Sequence, residues 1–241
     1  MKAQDRIFLA LDVNSYRRAE ELVTRLKDYV GGFKVGSQLF TRAGPRVLRM
    51  IKKAGKPIFL DLKYHDIPAT VARAAEEAVR HGISIFNVHI SGGYEMMWAC
   101  VETCGKLSRE KSLPKPLILG VTLLTSLTDA DLSDLGIQRR IDAQVLSLGR
   151  MAQKAGLDGV VASPQEVKAL RDAFGKDFII LCPGVRPAGS NKHDHHRSAT
   201  PKEAIAAGAD YIVVGRPILD APDPLLVCQR LIQEIKQASP R

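Results

Sequence analysis

Asp61 and Lys63 stand two residues apart in an otherwise apolar run, PIFLDLK (57–63), and Asp66 follows closely. Residues two apart on a strand share one face. Asp12 lies near the end of the first apolar run, IFLALDV (7–13), and Lys34 interrupts the second, GGFKVG (31–36). Charges inside apolar strands are costly unless paired. A salt-bridge network is one reading of them. A row of alternating ammonium and carboxylate groups also suits one type of chemistry. A carboxylate placed beside a ligand's carboxylate repels it. A neighbouring ammonium stabilises a developing carbanion and then donates its proton. Lysine can do both, whereas arginine does not give up its proton.

A second set of residues suits an anion. The run YIVVGRP (211–217) ends on Gly215, whose backbone can approach a ligand closely, and then Arg216. Arg186 follows PGV. Guanidinium groups make multidentate contacts to phosphate oxygens.

These residues must be placed by the elements that carry them. Eight short apolar runs alternate with helical segments: 7–13, 31–36, 57–63, 84–91, 116–124, 159–163, 178–185 and 211–217. Most are continuously apolar, as expected of parallel strands covered on both faces. Residues 15–30 carry apolar side chains at helical spacing. Ser163-Pro164-Gln165-Glu166 and Thr200-Pro201-Lys202-Glu203 read as capped helix starts. Asp223-Pro224 opens the last predicted helix. The pattern predicts an α/β fold, a (β/α)8 TIM barrel forming a single domain over 1–241. An open doubly wound sheet is the rival, but no G-x-G-x-x-G follows the first strand. In a barrel the active site lies at the C-terminal strand ends, and phosphate often binds after strands seven and eight. Asp12, Lys34, Asp61, Lys63, Thr125, Arg186, Gly215 and Arg216 all fall at such ends. Two long polar connections, 125–138 and 186–199, are expected to be mobile lids or ligand grips.

The segment 59–71, FLDLKYHDIPATV, resembles the D-x-K-x-x-D-I-P-x-T-V motif of the orotidine 5′-phosphate decarboxylase family, in its bacterial branch. The likeness runs along the whole chain, through LALDV, FKVGSQLF, NVHISGG, VTLLTS, LDGVVAS, PGVRP and YIVVGRPI. The D-x-K-x-x-D core alone is shared with a wider group of sugar-phosphate enzymes. The resemblance implies decarboxylation of orotidine 5′-monophosphate to uridine 5′-monophosphate, the last step of de novo pyrimidine synthesis. It implies neither cofactor nor metal. Lys63 would be the proton donor to pyrimidine C6, with Asp61 and Asp66 near the departing CO2 and Lys34 completing the row. Asp12 and Lys34 would hold the ribose, Thr125 would sit near the pyrimidine, and Arg186, Gly215 and Arg216 would bind phosphate. The family analogy also implies a homodimer in which Asp66 and Thr70 cross to the neighbouring subunit. In place of the family's phosphate-loop Gln, this sequence carries His195. That substitution makes His195 a candidate phosphate ligand through its ring N–H.

Composition removes other classes. The net charge of +9 raises an anionic polymer as partner, but aromatic residues are only 5% and the basic residues are dispersed, which argues against a nucleic-acid surface. No apolar run approaches the roughly 20 residues of a membrane span. The four cysteines are too few for a disulfide scaffold and read as reduced thiols. The N-terminal residues run straight into a strand pattern, so no cleavable leader and a cytoplasmic location are expected. His193, His195 and His196 read as polar loop residues rather than metal ligands.

Overall fold

The computed structural model describes residues 1–187 and 199–238. Eight parallel strands close into a barrel in sequence order. They are β1 (Ile7–Ala10), β2 (Gly32–Gly36), β3 (Ile58–Tyr64), β4 (Ile85–His89), β5 (Leu117–Val121), β6 (Gly159–Val161), β7 (Ile179–Cys182) and β8 (Tyr211–Val214). Around them run α1 (Tyr16–Leu26), α2 (Ser37–Ala43), α3 (Arg46–Lys53), α4 (Pro68–His81), α5 (Tyr94–Lys111), α6 (Asp129–Asp134), α7 (Ile141–Lys154), α8 (Val167–Phe174), α9 (Pro201–Ala207), α10 (Arg216–Leu219) and α11 (Pro224–Lys236). The expected barrel is therefore present.

The continuous apolar strands are explained by two separate cores. Phe8, Ala10, Phe59, Ile85, Leu119, Val121, Val161, Leu181 and Val213 point inward and fill the barrel. Alternate residues such as Leu9, Phe33, Leu60, Phe86, Ile180 and Ile212 point outward beneath the helices. Both sets are removed from water, and each large side chain so buried contributes about 1.5–3 kcal/mol. Inside, the Phe8 ring meets Phe59 and Tyr211 edge-on, with centroids 6.2 and 5.5 Å away.

Helix starts follow their sequence signals. Ser15 accepts from the Arg18 N–H and opens α1, which buries Ala19, Leu22, Val23 and Leu26 at i, i+3, i+4 and i+7 spacing and ends before residue 30. Thr200 and Glu203 form a capping box at α9, and Ser163 and Glu166 form one over a 3-10 turn leading into α8. Asp223 accepts from the Leu225 N–H at the start of α11. The connection 125–138 departs from expectation: Thr128 and Asp131 form a third capping box, which nucleates α6 inside it. The other long connection, 186–199, lies almost wholly outside the described residues, and His195 with it.

The far end of the barrel is closed by a repeated device. Helices α4, α7 and α9 run out through the left-handed glycines Gly82, Gly156 and Gly208. Two residues later come Ser84, Asp158 and Asp210. Their side chains accept from the backbone N–H of Ile58, Ile118 and Ile180, near the starts of β3, β5 and β7. Buried Arg171 ties this end together, donating to the carbonyls of Phe178 and Gly208 and to Asp210 Oδ2 at 2.6 Å. All four thiols are free and buried. Among the described residues no helix is long and apolar enough to cross a membrane.

Candidate active site at the C-terminal strand ends

Register places the charged row. Ala10 of β1 pairs with Lys34 of β2, and Gly36 of β2 pairs with Asp61 of β3. Asp12 lies two residues beyond the end of β1, level with these neighbours. Lys34 Nζ stands 3.1 Å from Asp12 Oδ1 and 3.2 Å from Asp61 Oδ2. Lys63 Nζ stands 2.7 Å from the other oxygen, Asp61 Oδ1. The result is a continuous row, Asp12–Lys34–Asp61–Lys63, with Asp61 bridging two ammoniums.

The row is close because of two backbone features. Gly36 has no side chain where one would intrude: a Cβ there would lie 3.0 Å from Lys34 Nζ and 3.2 Å from Asp12 Oδ1. Lys63 does not sit in regular strand geometry. The pairing of β3 with β4 jumps from Leu60–Phe86 to Tyr64–Val88, and Lys63 has φ +51°. A left-handed lysine is uncommon. Asp61 and Lys63 thus meet across a bulge, not along a flat strand face as their spacing alone implies.

Burial and charge oppose one another in this row. Desolvation alone would lower the pKa of Lys34, but Asp61 and Asp12 outweigh it and raise the pKa. Desolvation would raise Asp61, but Lys34 and Lys63, with the Asn87 hydrogen bond, hold it below the ordinary carboxylate value. Both groups are therefore ionised at neutral pH.

The row forms one wall of a cavity of about 420 Å³. The wall from β5 to β8 is apolar, with Val121, Val161, Leu181 and Val213 among its lining. Thr125, Arg186, Gly215 and Arg216 line the same cavity. Arg186 is buried, and its backbone N–H donates to Ala199 O at 3.0 Å. The cavity so combines a balanced charge row, an apolar wall and two guanidinium groups. That combination suits a flat, weakly polar ring carrying an anionic tail.

Asp66 and Thr70 do not join this cavity. The segment 65–70 is exposed throughout, and Asp66 Oδ1 accepts from the neighbouring Ile67 N–H at 2.6 Å. Thr70 lies in the first turn of α4. His89, half-buried, packs its ring 5.3 Å from that of His65. Its pKa is lowered by burial and by the nearby His65 and Lys63. Among the described residues no group of three or more His, Cys, Asp or Glu side chains is placed to hold a metal ion. Sequence reading missed Gly36 and Asn87. Asn87 sits on β4 with no exposed surface, bonded to both Asp61 and Lys63. The available signal was a lone amide in the apolar run SIFNVHIS, beside the strand that carries both charges.

Residues 5–231 match the model of the orotidine 5′-phosphate decarboxylase / HUMPS family. Orotidine 5′-phosphate decarboxylase of Geotalea daltonii is 50% identical over 234 residues, covering 97% of each chain. That of Syntrophotalea carbinolica is 50% identical over 238 residues, covering 99% of this chain and 98% of its own. The crystal structure of orotidine 5′-phosphate decarboxylase from Lactobacillus acidophilus superposes with a TM-score of 0.83 at 36% identity, over 95% of this chain and 98% of that one.

Proposed function

The chain belongs to the orotidine 5′-phosphate decarboxylase / HUMPS family, and from that premise we propose how its charge row converts orotidine 5′-monophosphate to uridine 5′-monophosphate. The bond between C6 and the carboxylate carbon breaks, CO2 leaves, and the electron pair stays on C6. Lys63 then passes a proton from Nζ to C6, and solvent restores the proton to the amine. Asp61 stands beside the substrate carboxylate and disfavours it relative to neutral CO2. The supporting observation is the bridged Asp61, held by Lys34 on one side and Lys63 on the other, with Lys63 at the cavity.

The remaining cavity residues fit the rest of the nucleotide. Asp12 and Lys34 hold ribose hydroxyls, Thr125 lies by the pyrimidine, and Arg186, Gly215 and Arg216 hold the phosphate. His195 lies outside the described residues, and the sequence alone makes it a candidate for a further ring N–H to the phosphate. Accelerations of the largest class need about 20 kcal/mol or more of transition-state stabilisation. One preorganised interaction supplies about 3–4 kcal/mol. Binding energy from the phosphate must therefore be used at C6. No step in this scheme uses a metal or an organic cofactor.

Asp66 and Thr70 act on the site of a second copy. Their exposure supports this, as do three exposed apolar residues near the starts of α4 and α5: Ile67, Tyr94 and Trp98. A homodimer would cover them. The reduced thiols fit a cytoplasmic enzyme. The direct test is the loss of pyrimidine ultraviolet absorbance when orotidine 5′-monophosphate is added, with and without EDTA. Turnover insensitive to EDTA is expected. No turnover, or turnover abolished by EDTA, would overturn the scheme.

A further inference from the structure

Asn87 closes a ring of hydrogen bonds around Lys63. Its Oδ1 accepts from the Lys63 backbone N–H at 2.9 Å. Its Nδ2 donates to Asp61 Oδ1 at 2.7 Å. That same Asp61 oxygen receives the Lys63 ammonium at 2.7 Å. The ring thus leaves Lys63 by its backbone and returns to it by its side chain. An N–H donor on one side and a carboxylate on the other fix which way the amide points.

The position explains why an amide is needed. Ile85, two residues earlier on β4, belongs to the packed barrel interior. Asn87 faces the same way, one layer higher, and is completely buried. The bulge in β3 takes the Lys63 N–H out of the regular ladder, where it would be a buried donor without a partner. An apolar side chain at 87 would leave both that N–H and one side of Asp61 unmet.

We propose that Asn87 is a positioning residue, locking the left-handed backbone of Lys63 and the carboxylate plane of Asp61 so that the Lys63 ammonium is aimed into the cavity. It acts through these two residues and lies beneath the substrate. This rests on the proton-donor role given to Lys63 above.

Two variants separate positioning from simple packing. Asn87→Ala removes both hydrogen bonds. Misplacement of a reacting group by about 1 Å costs on the order of 100-fold in rate, so kcat should fall by about that factor. KM and calorimetric affinity for uridine 5′-monophosphate should stay within about threefold. Asn87→Asp keeps the size and the acceptor for the Lys63 N–H, but sets a second carboxylate against Asp61. The charged and titratable groups around it are Asp61 and Lys63 from β3, Lys34 from β2 behind Asp61, and His89 on β4. Two facing carboxylates take up a shared proton as pH falls. The protonated group then donates as the amide did. Relative to the parent, kcat of Asn87→Asp should therefore rise about tenfold or more as pH is lowered from about 8 to about 5.

Asn87→Ala with kcat within about threefold of the parent would overturn the proposal. So would an Asn87→Asp deficit independent of pH, which is what a packing defect alone produces. If Asn87→Ala does not fold, the Asn87→Asp profile decides. If the parent itself fails to decarboxylate orotidine 5′-monophosphate, the functional reading falls separately. A crystal structure of Asn87→Asp grown at about pH 8 would then still test the lock. Lys63 leaving positive φ, or its ammonium parting from Asp61, supports it; an unmoved Lys63 refutes it.

Discussion

Lys34 and Asp61 are buried as a pair, Nζ to Oδ2 3.2 Å, with 10% and 12% of their side chains exposed. Asp61 is held below its ordinary value of 3.8 despite burial, so its contribution to stability is full above that value and is lost as pH falls through the depressed folded pKa. Lys34 is raised above 10.5 despite burial, so its contribution is full below that value and is lost as pH rises through the folded pKa. The stability difference between the parent and Asp61→Asn should be flat across neutral pH and shrink only in acid below about pH 4. Urea unfolding at several pH values measures it; a steep slope between about pH 6 and 8 would contradict the assignment.

Lys63→Ala should abolish turnover, by about 10³-fold or more, because the donated proton and the nearest cationic charge go together. Binding of uridine 5′-monophosphate should survive, since the Arg186 and Arg216 end is untouched. Stopped ultraviolet assays and calorimetry read the two effects independently. Substantial residual turnover would dismiss Lys63 as the acid.

Orotidine, the nucleoside without the 5′-phosphate, should show kcat/KM lowered by several orders of magnitude relative to orotidine 5′-monophosphate. The ground is the gap between what Lys63 alone supplies and what the reaction needs. Arg216→Ala should reproduce part of the loss with the natural substrate and little of it with the truncated one. Equal rates for both substrates would remove the phosphate from the mechanism.

Gly36→Ala should separate stability from activity. The backbone at Gly36, φ −92° and ψ −179°, suits any residue, so no backbone strain is added and the variant should fold with only a modest loss in melting temperature, as expected for Ala in place of Gly at the α2 N-cap. The new methyl would press on the Lys34 ammonium at 3.0 Å. A shift of a few tenths of an ångström along the row should lower kcat/KM by about tenfold. Unchanged kinetics would mean that the row tolerates displacement.

Arg171→Ala should act oppositely. It strips partners from Asp210 and from the carbonyls of Phe178 and Gly208 at the far end of the barrel. Breaking a buried pair of this type costs about 3–5 kcal/mol. The fraction that remains folded should turn over at the parent rate. A fall in kcat per folded molecule would show coupling between the two ends of the barrel.

The eight strands and their order were legible because burial on both faces forces unbroken apolar runs, and a charge within one stands out. Lys34, Asp61 and Lys63 were visible on that ground. The geometry joining them was not. The left-handed Lys63 is an ordinary lysine in sequence, and its bulge follows from pairing with β4, a partner 26 residues away. Asn87 was hidden for the same reason, since its meaning depends on register. Helix α6 was missed although Thr128 and Asp131 carry the same capping spacing as 163–166 and 200–203, because its six residues are mostly polar and show no apolar stripe to confirm a helix. The Ser84, Asp158 and Asp210 device is a repeated pattern, glycine then two residues on, that reads as three unrelated turns until the strands lie side by side.

The two lysines of the row differ in their access to water: 35% of the Lys63 side chain is exposed against 10% for Lys34. A donor that loses its proton each cycle must be reloaded, and reloading needs a route to solvent. If Lys63 is the donor, as proposed, its exposure at the cavity supplies that route. Lys34, enclosed between Asp12 and Asp61, would in that scheme keep its charge through the cycle and serve as a fixed reference against which Asp61 is held still. Under the proposed scheme the row is thus asymmetric in time as well as in space, with one cation spent and restored at every turnover and the other permanent.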